Sequence, residues 1–100
     1  MPHRQDLEKL IEEATIDCYD EYEQRAGFCA MLEDNLHFPF KATVVGEEVD
    51  VVDLDQDDDR IVAICKRNGK KYSVDILSIN VDRKKIKGSE WIDAYRKWSG

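Results

Sequence analysis

No run in this chain approaches the ~20 consecutive apolar residues that a membrane span requires. The opening MPHRQDLEKL also lacks the apolar stretch of a secretory signal. A cytoplasmic protein with no membrane contact is therefore expected. Cysteine is sparse. Cys18, Cys29 and Cys65 are odd in number, far apart and each set in an apolar run with no Cys-x-x-Cys pair, which reads as free thiols in a reducing compartment. Only His3 and His37 supply imidazole, and neither forms zinc-type spacing with the cysteines. His37, between Leu36 and Phe38, reads as a packing or hydrogen-bonding residue. No glycine-rich phosphate loop is present, and no nucleophile has a base partner suggested by spacing. Catalysis has no sequence support, so no enzyme is expected. Repeats and low-complexity linkers are absent as well, and 100 residues suit one domain with a modest core.

What the chain has in quantity is charge, unevenly placed. Residues 1–59 carry 18 acids against 4 bases, a net of −14, and residues 60–100 carry 4 acids against 11 bases, a net of +7. Either the two halves fold together and neutralise each other, or an acidic surface survives to attract cations or a basic partner.

The pattern of apolar residues predicts helices first and strands second. Leu7, Leu10, Ile11, Ala14 and Cys18 form a helical stripe with Glu8, Glu12 and Glu13 opposite. Asp20 is a suitable N-cap for a second helix, with Glu23 three residues on as its capping-box partner. Phe28, Leu32 and Leu36 repeat at i, i+4, i+8, and Gly27 beside them suggests close approach of another element. Pro39 ends the helix, because the residue before a proline is pushed to an extended conformation. From Phe40 the period becomes two. KATVV and EEVDVVDLD read as strands joined at Gly46-Glu47, DQDDD (Asp55 to Asp59) as the link to the next strand, and Asn68-Gly69 as a two-residue hairpin turn. A short fifth strand is placed near LSINV. Ser89 is read as the cap of a last helix carrying Trp91, Tyr95 and Trp98. The expected fold is α+β. A helical pair spans 1–39, antiparallel strands span 40–80 as a small meander sheet or a partly open SH3-like barrel, and a closing helix spans 88–98.

Three acidic groups stand out. DLDQDDD puts Asp53, Asp55, Asp57 and Asp59 at alternating positions, as in the calcium loop D-x-[DN]-x-[DN]-G-x5-E. The sixth position is Asp58 where that loop needs glycine, the twelfth is Ile64 where it needs glutamate, and the flanks read as strands, so this is no EF-hand. A tight turn could still bring these carboxylates to one side of a hard dication, and five aspartates in seven residues repel one another without a counter-ion. The plain alternative is a solvated hairpin turn. Asp17, Asp20, Glu21 and Glu23 form the second group, where helix capping is the plain alternative. Glu33, Asp34 and Asn35 form the third. Acids at a helix C-terminus oppose the macrodipole, which invites a compensating positive partner. The basic run DRKKIKG and the lysines flanking Asn68-Gly69 raise nucleic-acid binding. The acidic first half would repel phosphate and argues against it.

The stretches IDCYDEYEQRAGF (Ile16 to Phe28) and LEDNLHFPFKA (Leu32 to Ala42) resemble the bacterial, cyanobacterial-type family of small non-EF-hand calcium-binding proteins. The likeness is closest over about residues 10–45 and continues more loosely to the Trp-containing helix. It implies a helix-plus-small-sheet fold, Ca2+ held by surface carboxylates, and a role in buffering or regulating calcium. Position by position it favours Asp17, Asp20, Glu33 and Asp34 as ligands, with Asp53, Asp55, Asp57 and Asp59 added from their own spacing. The basic C-terminal half departs from the family pattern. The expectation is a calcium-binding module, and the alternative is an acidic adaptor for a basic protein partner.

Overall fold

The computed structural model describes residues 4–57 and 59–100, with side chains from residue 6 onward, so His3 and Asp58 lie outside the described residues. Three helices and four strands follow in the order α1 (Arg4–Thr15), α2 (Glu21–Asn35), β1 (Phe40–Val44), β2 (Glu47–Asp57), β3 (Arg60–Arg67), β4 (Lys70–Asp75) and α3 (Glu90–Ser99), with a 3₁₀ turn at Ile76–Ser78. The strands form one open antiparallel sheet in the order β1-β2-β3-β4. The fold is α+β, as its sequence pattern implies.

The helical periodicities have direct structural counterparts. Phe28 and Leu32 are fully buried and Leu36 nearly so. Each such side chain contributes about 1.5–3 kcal/mol by leaving water. Asp20 caps α2, its Oδ1 accepting the Glu23 N–H at 2.8 Å, and Glu23 Oε2 accepts the Tyr19 N–H at 3.0 Å. The first helix stops at Thr15, three residues short of the expected Cys18. Thr15 Oγ1 donates to the Ile11 carbonyl at 2.8 Å, and Asp17 turns the chain with φ +59°. Gly27 sits at the crossing with α1, where a Cβ would lie 2.0 Å from the Ala14 carbonyl oxygen. The close approach inferred from that glycine is present.

From α3, Trp91 and Tyr95 are buried, and Phe28, Tyr95 and Trp98 form a ring cluster with centroids 5.2–5.9 Å apart. Arg25, only 6% exposed, lies over the Trp98 ring at 5.0 Å, donates to the Tyr95 hydroxyl at 3.3 Å and pairs with Glu21 at 3.2 Å. Its charge is thereby held by an aromatic face and two oxygens. The helix begins one residue after Ser89, whose side chain makes no capping hydrogen bond.

Asn68-Gly69 forms the expected turn, both residues at positive φ. The β1–β2 turn is displaced by one residue from Gly46-Glu47 to Val45-Gly46, with φ +49° and +79° and Val44 paired to Glu47. Two-residue hairpins favour positive φ at both central positions because that twist matches the strands. Val45 is 93% exposed and gains nothing by packing to offset the strain of a β-branched residue there. Val45→Asn, which recreates the Asn-Gly pair of the other hairpin, is expected to raise stability by about 1 kcal/mol. Urea denaturation measures this as a higher midpoint at unchanged slope.

The expected fifth strand is a single bridge. Thr43 and Asn80 exchange N–H···O bonds of 2.8 and 2.9 Å at the outer edge of β1. The chain then returns to the helices through Gly88. At φ +86°, a Cβ on Gly88 would lie 2.3 Å from the Asn35 carbonyl oxygen, so the 81–89 loop docks directly on the exit of α2.

Candidate metal centre

The link expected at Asp55–Asp59 is mostly strand, because β2 continues to Asp57. A bulge at Val52 shifts the register, with Val51 opposite Cys65 and Asp53 opposite Ile64. One unpaired residue inverts side-chain parity. Val49, Val51 and Leu54 therefore all face the core while Asp53, Asp55 and Asp57 are exposed. At a rise of about 3.3 Å per residue, neighbouring aspartates in this row stand about 6.6 Å apart along the strand. That is a rail, in place of the tight turn expected from the spacing.

The rail lies on an edge. β1 pairs only with residues 47–51 of β2, leaving 53–57 without a strand on that side. Two of the edge amides are satisfied locally: Asp53 Oδ1 accepts the Leu54 N–H at 2.8 Å and Asp55 Oδ1 accepts the Gln56 N–H at 2.9 Å. Charge on an exposed edge also discourages the addition of another strand. Helix α2 runs beside it, with the Tyr22 carbonyl accepting from Gln56 Nε2 at 3.4 Å. Further along, the Cys29 thiol donates to Glu33 Oε1 at 3.3 Å. Burial pushes the Cys29 thiol up to about 12, helped by its bond to Glu33 and by the negative charges of Glu33, Asp55 and Asp53. The thiol thus feels the negative field of Glu33 on the helix and of the two strand aspartates.

Cations, most of them from the basic half of the chain, pair with other acids. Arg67 pairs with Glu47, Lys41 with Glu48 at 3.0 Å and Asp50 at 3.6 Å, Arg60 with Asp57 at 3.5 Å, Lys97 with Glu8 at 3.3 Å, and Arg83 with Asp93. Among the described residues no cation pairs with Glu33, Asp34, Asp53 or Asp55. In each of Glu33, Asp53 and Asp55 one carboxylate oxygen is held by a hydrogen bond. The other proposed ligands fall elsewhere. Asp20 serves as the α2 cap, Asp57 pairs with Arg60, Asp17 is exposed in the α1–α2 turn and Asp59 in the β2–β3 turn.

This chain matches, over residues 8–99, the family described as calcium binding and typified by CcbP. The chain belongs to that family. The crystal structure of CcbP from Anabaena is similar over 98% of this chain and 92% of that one, with a TM-score of 0.78 at 23% identity. No curated protein matches. For a CcbP-type chain the ion to test against the geometry is Ca2+. Calcium takes six to eight oxygens at about 2.4 Å. Among the described residues no three acidic, histidine or cysteine side chains converge as a ready cage. The donors on the edge are nonetheless all carboxylate oxygen. They come from two elements, α2 and β2, and among the described residues Glu33, Asp53 and Asp55 have no cation paired with them. That chemistry suits a hard ion. Sequence reasoning missed Cys29 and Arg25. The only signal for Cys29 was its spacing four residues before Glu33. For Arg25 it was an isolated base in a helix of acids. Among the described residues no helix is long and apolar enough to cross a membrane.

Proposed function

We propose that this protein binds calcium along the α2–β2 edge, with Glu33, Asp53 and Asp55 as the central ligands and water completing the shell. Asp34 extends the site along the helix. Asp17, Asp20, Asp57 and Asp59 act mainly through their field, since Asp20 and Asp57 already have structural partners. The protein is a single-domain, cytoplasmic, non-enzymatic buffer or regulator of calcium in this reading. The supporting observation is that Lys41, Arg60 and Arg67 pair with the other acids of β2 while, among the described residues, no cation pairs with these three. Bound calcium supplies positive charge where carboxylates repel one another. The protein holds one oxygen of each ligand in place through Cys29, Leu54 and Gln56. An open site of this kind has an expected Kd of roughly 10⁻⁵–10⁻³ M.

A calcium titration followed by ¹H-¹⁵N NMR, with magnesium as the control ion, tests the reading. The amides of Cys29, Glu33, Leu54 and Gln56 are expected to shift saturably with calcium and far less with magnesium. At calcium a hundredfold above Kd, linkage contributes about 2.7 kcal/mol, a rise in Tm on the order of 10 °C. Equal, unsaturable responses to both ions would defeat it. A second reading has its own observation. Ile16, Tyr19 and Tyr22 are 69%, 90% and 58% exposed among Asp17, Asp20, Glu21 and Glu23 at the α1–α2 corner. An apolar knuckle ringed by acids suits a basic protein partner, and capture that persists in chelator would favour that role.

A further inference from the structure

The run Asp82–Gly88 (DRKKIKG) has no part in the calcium reading, yet the fold wraps it onto the exit of the same helix. Asp82 holds the bend: its carbonyl accepts the Lys85 and Ile86 N–H groups at 3.0 and 2.9 Å, and its Oδ1 accepts the Lys84 N–H at 3.0 Å. Gly88 closes the loop against the Asn35 carbonyl. Between loop and helix lies a cavity of about 450 Å³, lined by Asn35, His37, Arg83, Lys84, Lys87 and Glu90 among others. That volume falls within the usual range for small-molecule sites. The Arg83 guanidinium is already engaged in a two-bond pair with Asp93, so its fork is not available to a carboxylate ligand. Lys84 and Lys87 are different. Among the described residues neither has a carboxylate partner. Two lysines and a histidine thus line one hollow, with Glu90 as its one acidic residue, while the Asn35 side chain is spent on the Met31 carbonyl at 2.8 Å.

We propose that this cavity binds a small phosphate-bearing anion. Ammonium groups act on phosphate as point charges with freely turning donors, whereas planar bidentate recognition of carboxylate needs the guanidinium that Asp93 occupies. Lys84 and Lys87 supply the charge and His37 a ring nitrogen. Glu90 sets a limit on how far the anion can approach the start of α3. The site is separate from the calcium edge, so either can fail without the other.

The test uses the whole chain in calcium-free buffer at 150 mM salt, titrated with inorganic pyrophosphate and, in parallel, with citrate. ¹H-¹⁵N NMR is expected to show saturable shifts at His37 and the Lys84–Gly88 amides, with citrate binding at least tenfold more weakly. Lys84→Ala with Lys87→Ala should weaken pyrophosphate binding at least tenfold. Both lysines are exposed, so the fold should survive, and unchanged amide dispersion checks it. Lys70→Ala with Lys71→Ala, on the β3–β4 hairpin, should leave affinity within twofold. Any of three results would overturn the proposal: no saturable shift, citrate binding as tightly as pyrophosphate, or equal loss from the two lysine pairs.

Discussion

Gly27→Ala is expected to destabilise this protein by about 3 kcal/mol, the upper part of the usual range for overpacking, and to lower Tm by about 15 °C. Helix propensity alone predicts the opposite sign, since alanine is better than glycine inside a helix by ~1 kcal/mol. Geometry decides between them. The new Cβ would stand 2.0 Å from the Ala14 carbonyl oxygen and 3.2 Å from its carbon. Both are backbone atoms that no rotamer change can move aside. Relief requires α1 to shift away from α2, which draws Leu7, Leu10 and Ile11 off the core they pack against. Thermal unfolding followed by circular dichroism measures the effect. Ala30→Gly, at an exposed site on the same helix, calibrates propensity alone and should cost about 1 kcal/mol. A Gly27→Ala protein as stable as the parent would mean that the two helices do not cross there.

Which of these features could be read from the sequence depended on how local their causes are. The α2 stripe, the Asp20–Glu23 cap and the Asn68-Gly69 turn each depend on residues within one or two turns, so spacing revealed them. The β1–β2 turn was misplaced because glycine was put at the first central position. The chain puts the β-branched Val45 there instead, and the strand register tolerates the strain. The bulge had a trace in the sequence, the Val51-Val52 doublet that breaks alternation. Its consequence needed the register against β3: a turn of aspartates became an outward row on an edge. Likewise, acids at the C-terminal end of α2 signalled a missing counter-charge. That α2 lies along the unpaired half of β2, its Tyr22 carbonyl bonded to Gln56, is a tertiary fact. The charge asymmetry was visible from composition. How it resolves was not, because Glu47, Glu48, Asp50 and Asp57 found cations while their neighbours in the same strand did not.

Neutralising the three acids together, Glu33→Gln with Asp53→Asn and Asp55→Asn, separates a binding face from a merely solvated one through three linked readouts. Calcium-dependent stabilisation should disappear, a loss of more than tenfold in affinity by calorimetry, because hard dications require anionic oxygen. Without calcium the variant should be at least as stable as the parent, since like charges at close range oppose folding. The amide oxygens can still accept the Leu54 and Gln56 N–H bonds, so the edge stays satisfied. The third readout is internal. The Cys29 thiol stands at about 12 through burial, its bond to Glu33 and three nearby charges. Removing the charges should bring it down, while burial keeps it above an ordinary thiol, and the pH dependence of the Cys29 ¹³Cβ shift reports the change. In the parent the raised value favours the folded state below the ordinary thiol pKa of ~8.5. That contribution is lost as pH climbs toward 12. The variant should lose less stability across that alkaline window. If the thiol titrates unchanged, Glu33, Asp53 and Asp55 do not share one field. If the thiol falls but calcium binding persists undiminished, the acids meet as the fold places them and the ion is held elsewhere.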